Sequence, residues 1–249
     1  MTKKIKKVRG RGRFYLLWLC ILGVVFFAGH QARALFSDVD FFTLKSITIR
    51  GNRLVSIEHL YSIAEPFKGT NIFEIDLQDL EKRYQAVSRV SSIKFRRVYP
   101  SRLIITVRER QGMFYVRDNQ GGFHPIDRDR VVLDKADWYL EEDIPLINII
   151  FPREQIVLGE RIENPRIEHI FEVFEAIVQD NPSIANDISE FYFRNDNLYF
   201  IDMRSGSRVI LGRDNVSQQI HRFMFLRDNQ GFDRNSTIDL RFEGQIIIT

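Results

Sequence analysis

Residues 44–111 read LKSITIRGNRLVSIEHLYSIAEPFKGTNIFEIDLQDLEKRYQAVSRVSSIKFRRVYPSRLIITVRERQ, and this stretch decides the fold. Ile47 and Ile49 alternate with polar neighbours, and Gly51-Asn52 follows as a turn signal, so a strand opens the unit. Ser56 is placed to cap a helix whose apolar positions Ile57, Leu60, Tyr61, Ala64 and Phe67 keep helical spacing. Lys68-Gly69-Thr70-Asn71 breaks it. Asp76 caps a second helix with the stripe Leu77, Leu80, Tyr84 and Val87. Ile93 and Phe95 then alternate with Lys94 and Arg96, Tyr99-Pro100 marks a turn, and Leu103, Ile105 and Val107 alternate in another strand. The order is β-α-α-β-β, with both helices on one face of a three-stranded sheet.

Beyond residue 112 the pattern changes. Phe114-Tyr115-Val116, Gly122-Phe123 and Val131-Val132-Leu133 are short strand-like runs. Asn164 and Pro165 open a helix with the stripe Ile167, Ile170, Phe171, Phe174, Ile177 and Val178, which Asn181-Pro182 ends. Strand signals return at 189–193, 198–202 and 208–211, and a helix carries Val216, Ile220, Phe223 and Met224. Ile238, Leu240 and Phe242 alternate with Asp239, Arg241 and Glu243, which predicts a closing strand that continues toward Ile246. The fold class is α+β: a β-α-α-β-β unit at 44–111 and a mixed β-domain with helices at 112–249.

Upstream lies a different chemistry. The chain holds 36 Lys and Arg against 33 Asp and Glu. Seven of those bases (Lys3, Lys4, Lys6, Lys7, Arg9, Arg11 and Arg13) crowd into residues 1–13 without an acid, so 29 bases face 33 acids over the rest. The high isoelectric point thus belongs to a tail, which argues against a nucleic-acid-binding body. Arg13 and Arg33 bracket nineteen uncharged residues, FYLLWLCILGVVFFAGHQA, roughly 28 Å of helix, enough for one bilayer crossing when both arginines snorkel. The expected layout is a basic cytoplasmic tail (1–13), a transmembrane helix (14–33), a linker (34–43) and two extracytoplasmic units, because a basic segment stays inside. A cleaved signal peptide is the competing expectation, since Ala32-Arg33-Ala34 resembles a small-x-small cleavage site. The single Cys20 excludes a disulfide framework within the chain.

No GxSxG, HExxH, Walker or GxGxxG pattern occurs. His124 with Asp127 and Asp129 forms at most a crude metal cluster, and a turn with solvated acids accounts for it. Asp239 and Arg241 suggest a local ion pair. No catalytic residue, cofactor or metal is expected. The closing segment, with six apolar residues among its last twelve, invites strand addition by a partner.

The ordered set Ile49-x-Gly51-Asn52, Gly69-x-Asn71-x-Phe73-x-Ile75-Asp76, Arg97-x-Tyr99-Pro100-x-x-Leu103 and Val107-x-Glu109-Arg110 resembles a POTRA domain of the bacterial cell-division FtsQ/DivIB family. Val209-x-Leu211-Gly212-Arg213, Arg222-Phe223 and 238–242 (Ile-Asp-Leu-Arg-Phe) resemble its β-domain in the same order, so the likeness spans nearly the whole chain. It implies a membrane-anchored, non-enzymatic divisome scaffold at the septum, in the inner membrane with its C-terminal domains in the periplasm. It further implies binding of FtsB and FtsL at the β-domain, and of FtsK and FtsW/FtsI through the POTRA and membrane regions. The positions implied are Phe242 and Gly244 in the last strand, with Leu240 and Ile246 beside them, and Arg194 in a loop between two earlier strands. Phe242 would be the aromatic anchor and Arg194 a bidentate donor to a carboxylate. The rival from another class is a POTRA-bearing outer-membrane translocation factor ending in a small barrel, which the helical stripes at 165–178 and 214–224 oppose. A periplasmic enzyme with an unrecognised site is the second rival, and a deep pocket with convergent titratable groups would mark it.

Overall fold

Two short polar side chains set the helices of the first unit. The Ser56 hydroxyl accepts the amide of His59 and begins α2 (Ile57–Ala64), and the Asp76 carboxylate accepts the amides of Gln78 and Asp79 and begins α3 (Leu77–Gln85). Each cap satisfies amides that the first helical turn leaves unpaired. The structure, a computed structural model, describes residues 11–37, 40–135, 143–229, 233 and 235–249. It starts with α1 (Arg11–Ser37), 27 residues long. A single 3-10 turn at Asp40–Phe42 leads into β1 (Ser46–Arg50), and β2 (Val90–Val98) and β3 (Arg102–Glu109) follow α3. The spatial order is β1-β3-β2, with β1 parallel and β2 antiparallel to β3. This is the expected β-α-α-β-β arrangement. Leu60 and Ala64 of α2, Leu80 and Tyr84 of α3, and Leu103, Ile105 and Val107 of β3 form its core. The Tyr84 hydroxyl donates to the Leu60 carbonyl at 2.6 Å, joining the two helices, and burial pushes the phenol pKa up.

The second unit has its own core, from Phe114 to Leu240. Its strands are β4 (Phe114–Asp118), β5 (Phe123–Ile126), β6 (Leu146–Phe151), β7 (Ile188–Arg194), β8 (Asn197–Asp202), β9 (Ser207–Leu211), β10 (Thr237–Asp239) and β11 (Ile247–Ile248). They form one eight-stranded sheet in the order β11-β10-β9-β8-β7-β6-β4-β5. Helix α4 (Pro165–Asp180) is capped by Asn164 with Pro165 at its start, as expected. The short α5 (Pro182–Ala185) follows directly, and α6 (Val216–Asn229) lies between β9 and β10. The Phe114 ring meets Phe171 and Phe174 of α4 at 4.9 and 4.8 Å between centroids, and Phe200 meets Phe223 of α6 at 5.7 Å. One face of the sheet is thereby covered by helices.

Some local expectations change. Val131–Leu133 makes isolated bridges to Ile126 and Arg161 rather than a strand. Helix α2 stops at Ala64, because Pro66 follows and the chain tightens into a 3-10 turn at Glu65–Phe67. Lys3, Lys4, Lys6, Lys7 and Arg9 lie outside the described residues, whereas Arg11 and Arg13 fall in α1. Among the described residues no helix is long and apolar enough to cross a membrane, so the expected crossing at 14–33 rests on the sequence.

Polar contacts join the two units. Arg110, one residue past β3, donates from Nη1 to Asp127 and, at 3.3 Å, to Asp129. The Ser88 hydroxyl and Asp134 exchange two hydrogen bonds of 2.7 Å. Glu109 turns inward, its carboxylate accepting the amides of Arg53, Leu54 and Val55.

Candidate partner-binding edge

The geometry of the last two strands differs from the expected continuous one. β10 pairs in parallel with β9, Ile238 opposite Val209, and one further bond runs from the Leu240 amide to the Ile210 carbonyl. The ladder then ends. Asp239 accepts from the Arg241 backbone amide at 3.1 Å and from its guanidinium at 2.9 and 2.6 Å, the ion pair expected from sequence. The Arg241 guanidinium holds the Asp239 carboxyl below its ordinary value. The chain turns through 242–245, where Gly244 takes φ +70°, a backbone conformation that costs glycine least. It returns as β11, antiparallel to β10 with Ile238 opposite Ile248.

Arg222 of α6 holds this turn. Its guanidinium donates to the carbonyls of Phe242 (2.9 Å), Leu240 (3.1 Å) and Gln245 (3.3 Å). One side chain thus bonds three carbonyls of the turn, of which Phe242 also accepts the Gln245 amide at 3.4 Å. Sequence reasoning assigned Arg222 no such role, since 18 to 23 residues separate it from the groups it binds and no local pattern predicts them.

Main-chain bonds fix which groups face outward. The amides and carbonyls of Thr237 and Thr249 bond each other at 2.6 and 2.9 Å. In an antiparallel ladder bonded and non-bonded pairs alternate, so Ile248 forms a non-bonded pair with Ile238, and its own N–H and C=O point away from β10. Ile247 and Ile248 are 42% and 46% exposed. Next to Ile246 a largely apolar groove is lined by that residue and by Gln218, His221, Arg222, Phe225 and Leu226 of α6.

The expected site residues are therefore redistributed. Phe242 and Gly244 sit in the turn, not in the last strand, because Gly244 and the Arg222 clamp reverse the chain there. Leu240 is fully buried in the core, with no surface to offer a partner. Ile246 packs half-buried against the same core and reaches the groove. Arg194 is the exposed final residue of β7, opposite Asn197, rather than a loop residue. It shares the Asn197–Arg241 end of the sheet, but β7 lies four strand steps from β11, about 19 Å at the usual strand spacing. The structure thus brings Ile246 to the edge and keeps Arg194 at the sheet's end.

Elsewhere, His124 Nε2 lies 2.8 Å from Asp118 rather than joining Asp127 and Asp129. Among the described residues no group of three His, Cys, Asp or Glu side chains is placed to hold a metal. Arg227 of α6 is buried between Asp187 and Asp202 at 2.9 and 2.8 Å and fastens that helix to the ends of β7 and β8. These are structural ties.

A three-stranded β-α-α-β-β unit leading into an open mixed sheet defines a class: a POTRA domain joined to a β-domain. The comparisons agree. Residues 42–110 match the POTRA domain, FtsQ-type, and residues 114–241 match the family described as Cell division protein FtsQ/DivIB, C-terminal. The chain belongs to the FtsQ/DivIB family of cell-division proteins. It is 23% identical over 214 residues to the cell division protein DivIB of Clostridium acetobutylicum, covering 83% of this chain and 82% of that one. It is 25% identical over 210 residues to the cell division protein FtsQ of Syntrophotalea carbinolica, covering 81% and 70%. Its identity to the cell division protein FtsQ of Mycobacterium tuberculosis is 37% over 87 residues, 35% of this chain and 27% of the relative. The family supports a role in the divisome, and the outer-membrane translocation reading is not favoured.

Proposed function

We propose that this chain is a bitopic inner-membrane scaffold of the divisome, located at the septum, whose work is recruitment rather than catalysis. Its distal edge takes a strand from an FtsB–FtsL complex, and its POTRA and membrane regions engage FtsK and FtsW/FtsI. The observation that carries the reading is the outward-facing N–H and C=O of Ile248 on an uncharged edge strand, with a largely apolar groove next to Ile246. An incoming strand would bond those groups, and its alternate side chains would enter the groove lined by Phe225 and Ile246. Net gain per main-chain bond is about 0.5–1.5 kcal/mol, so the groove supplies selectivity and the backbone the register.

Anchoring is supported by the uncharged residues 14–32 and by the exposure of Leu19, Leu22, Val24, Val25, Phe26 and Phe27 along α1. The seven bases at 1–13 support a cytoplasmic N-terminus and periplasmic domains.

Ile248→Pro tests the edge. Proline on an edge strand with its nitrogen turned to solvent is tolerated, so the variant loses the outward donor and little else. Titrated with purified FtsB–FtsL, it is expected to bind about tenfold more weakly or worse, roughly 1.4 kcal/mol, while Ile248→Ala keeps the backbone contact. Wild-type affinity for Ile248→Pro would overturn the strand-addition reading.

A further inference from the structure

At the end of the POTRA unit where the chain enters, four aromatic rings form a continuous row. Phe41 meets Phe42 at 5.1 Å between centroids, Phe42 meets Phe73 at 5.2 Å, and Phe73 stacks on Tyr99 at 5.0 Å. Phe42 packs against the core, whereas Phe41, Phe73 and Tyr99 are 59%, 54% and 56% exposed. Three separate segments are fastened together to make this surface. The amide of Ile72 donates to the Phe42 carbonyl at 2.9 Å, Thr43 bridges to Asn71, and the Asn71 side chain accepts the Phe73 amide at 3.0 Å. Tyr99 comes from the turn between β2 and β3. The unit's core does not require these rings to be outside, and a built, contiguous aromatic surface marks a contact.

We propose that this row rests in the headgroup layer of the membrane that α1 crosses, fixing the tilt of the POTRA unit against the bilayer; the proposal rests on the anchored reading above. The tether argues for lipid over any other occupant. Helix α1 ends at Ser37, four residues before Phe41. Four residues reach at most about 14 Å however they run, while each interfacial layer is about 5–7 Å deep. The row therefore cannot leave the neighbourhood of the bilayer once α1 spans it. Its composition suits that depth, since amphipathic aromatic rings concentrate at membrane–water interfaces. Around it, exposed Lys45, Lys68 and Arg102 are offset by exposed Glu65 and Glu74, so the contact is aromatic and not driven by lipid charge.

The test uses the full chain in nanodiscs of phosphatidylcholine, with and without phosphatidylglycerol. Spin labels are placed at Phe73→Cys or Phe41→Cys in a Cys20→Ser background, with exposed Met203→Cys on the distal unit as the aqueous reference. The two labelled positions guard against one substitution disturbing the fold. Collision with oxygen relative to a water-soluble nickel complex is expected to be several-fold higher at positions 73 and 41 than at 203, in both lipids. Values equal to position 203 would overturn the proposal, and contact only with phosphatidylglycerol would reassign it to Lys45, Lys68 and Arg102. A label on native Cys20 reports the anchor separately: deep at Cys20 and aqueous at 73 removes this proposal alone, whereas aqueous at Cys20 removes the anchor and the proposal together.

Discussion

The edges of the two sheets are built on opposite terms. In the POTRA unit β2 is a nine-residue edge strand whose exposed positions include Lys94 and Arg96. Charges placed along an edge make strand addition costly, because a docking neighbour would have to cover them. In the distal unit β11 is two isoleucines, exposed and uncharged. The opposite distal edge, β5, is covered: the Leu133 amide donates to Pro125 at 2.8 Å and the Asp127 amide to Val131 at 3.0 Å. Among the described residues, three of the four sheet edges, β2, β5 and β11, are thus guarded, covered and bare in turn, and of these three the bare one is where strand addition costs least.

The largest expected effect tests whether the two units stand apart energetically. Phe114→Ala removes the ring that joins Phe171, Phe174 and Phe191. A loss of about 3–5 kcal/mol is expected in the distal unit, read as faster amide exchange through β4–β10. Exchange in β1–β3 should stay near wild type. Equal acceleration in both units would show that the Arg110–Asp127 and Ser88–Asp134 contacts fuse them into one cooperative block.

Next in size is the clamp on the bare edge. Arg222→Ala takes the guanidinium from the carbonyls of Leu240 and Gln245 and leaves Phe242 only the Gln245 amide, worth about 1–3 kcal/mol locally. The amide of Thr249, which bonds Thr237, should then exchange much faster while β2 is unaffected. Unchanged protection at Thr249 would mean that the turn holds itself.

Smaller still in monomer stability, within about 0.5 kcal/mol, is the double change Lys94→Ile with Arg96→Ile. Its consequence should be self-association seen by sedimentation, as the guarded edge becomes sticky. A monomeric double variant would deny that these charges guard anything.

Legibility followed range along the chain. Ser56, Asp76 and Asn164-Pro165 were readable because a cap bonds amides two or three residues away. The β-α-α-β-β order followed from periodicity for the same reason. Phe242 falls outside the expected strand because Ile238, Leu240 and Phe242 alternate with Asp239, Arg241 and Glu243 just as a strand does, while Gly244 and the distant Arg222 turn the chain after Asp239. Alternation says which face a residue would take in a strand; it cannot say where pairing stops. The same holds for Arg227 with Asp187 and Asp202, separated by 40 and 25 residues. The aromatic row was invisible too, since it joins residues 41, 73 and 99.

The covered edge offers the finest distinction. At its β4–β5 hairpin the Asp118 carboxylate is bonded to the His124 ring and accepts the amides of Gly122 and Gln120. The His124 hydrogen bond chiefly, with those amides, outweighs burial and lowers its pKa from 3.8 to about 2. A carboxyl whose value falls on folding stabilises fully above its unfolded value and stops doing so as pH drops through the folded one. The hairpin should therefore be indifferent to pH near neutrality and loosen between about pH 4 and 2, seen as rising exchange of the Gly122 amide. Asp239 at the bare edge is also held low, by Arg241, so acid alone touches both ends of the sheet. Asp118→Asn separates them: it should abolish the acid dependence at Gly122 and leave that of the Thr249 amide intact. If Gly122 still responds to acid in Asp118→Asn, the pin on the covered edge is some other group, and the contrast between the two distal edges no longer rests on this carboxylate.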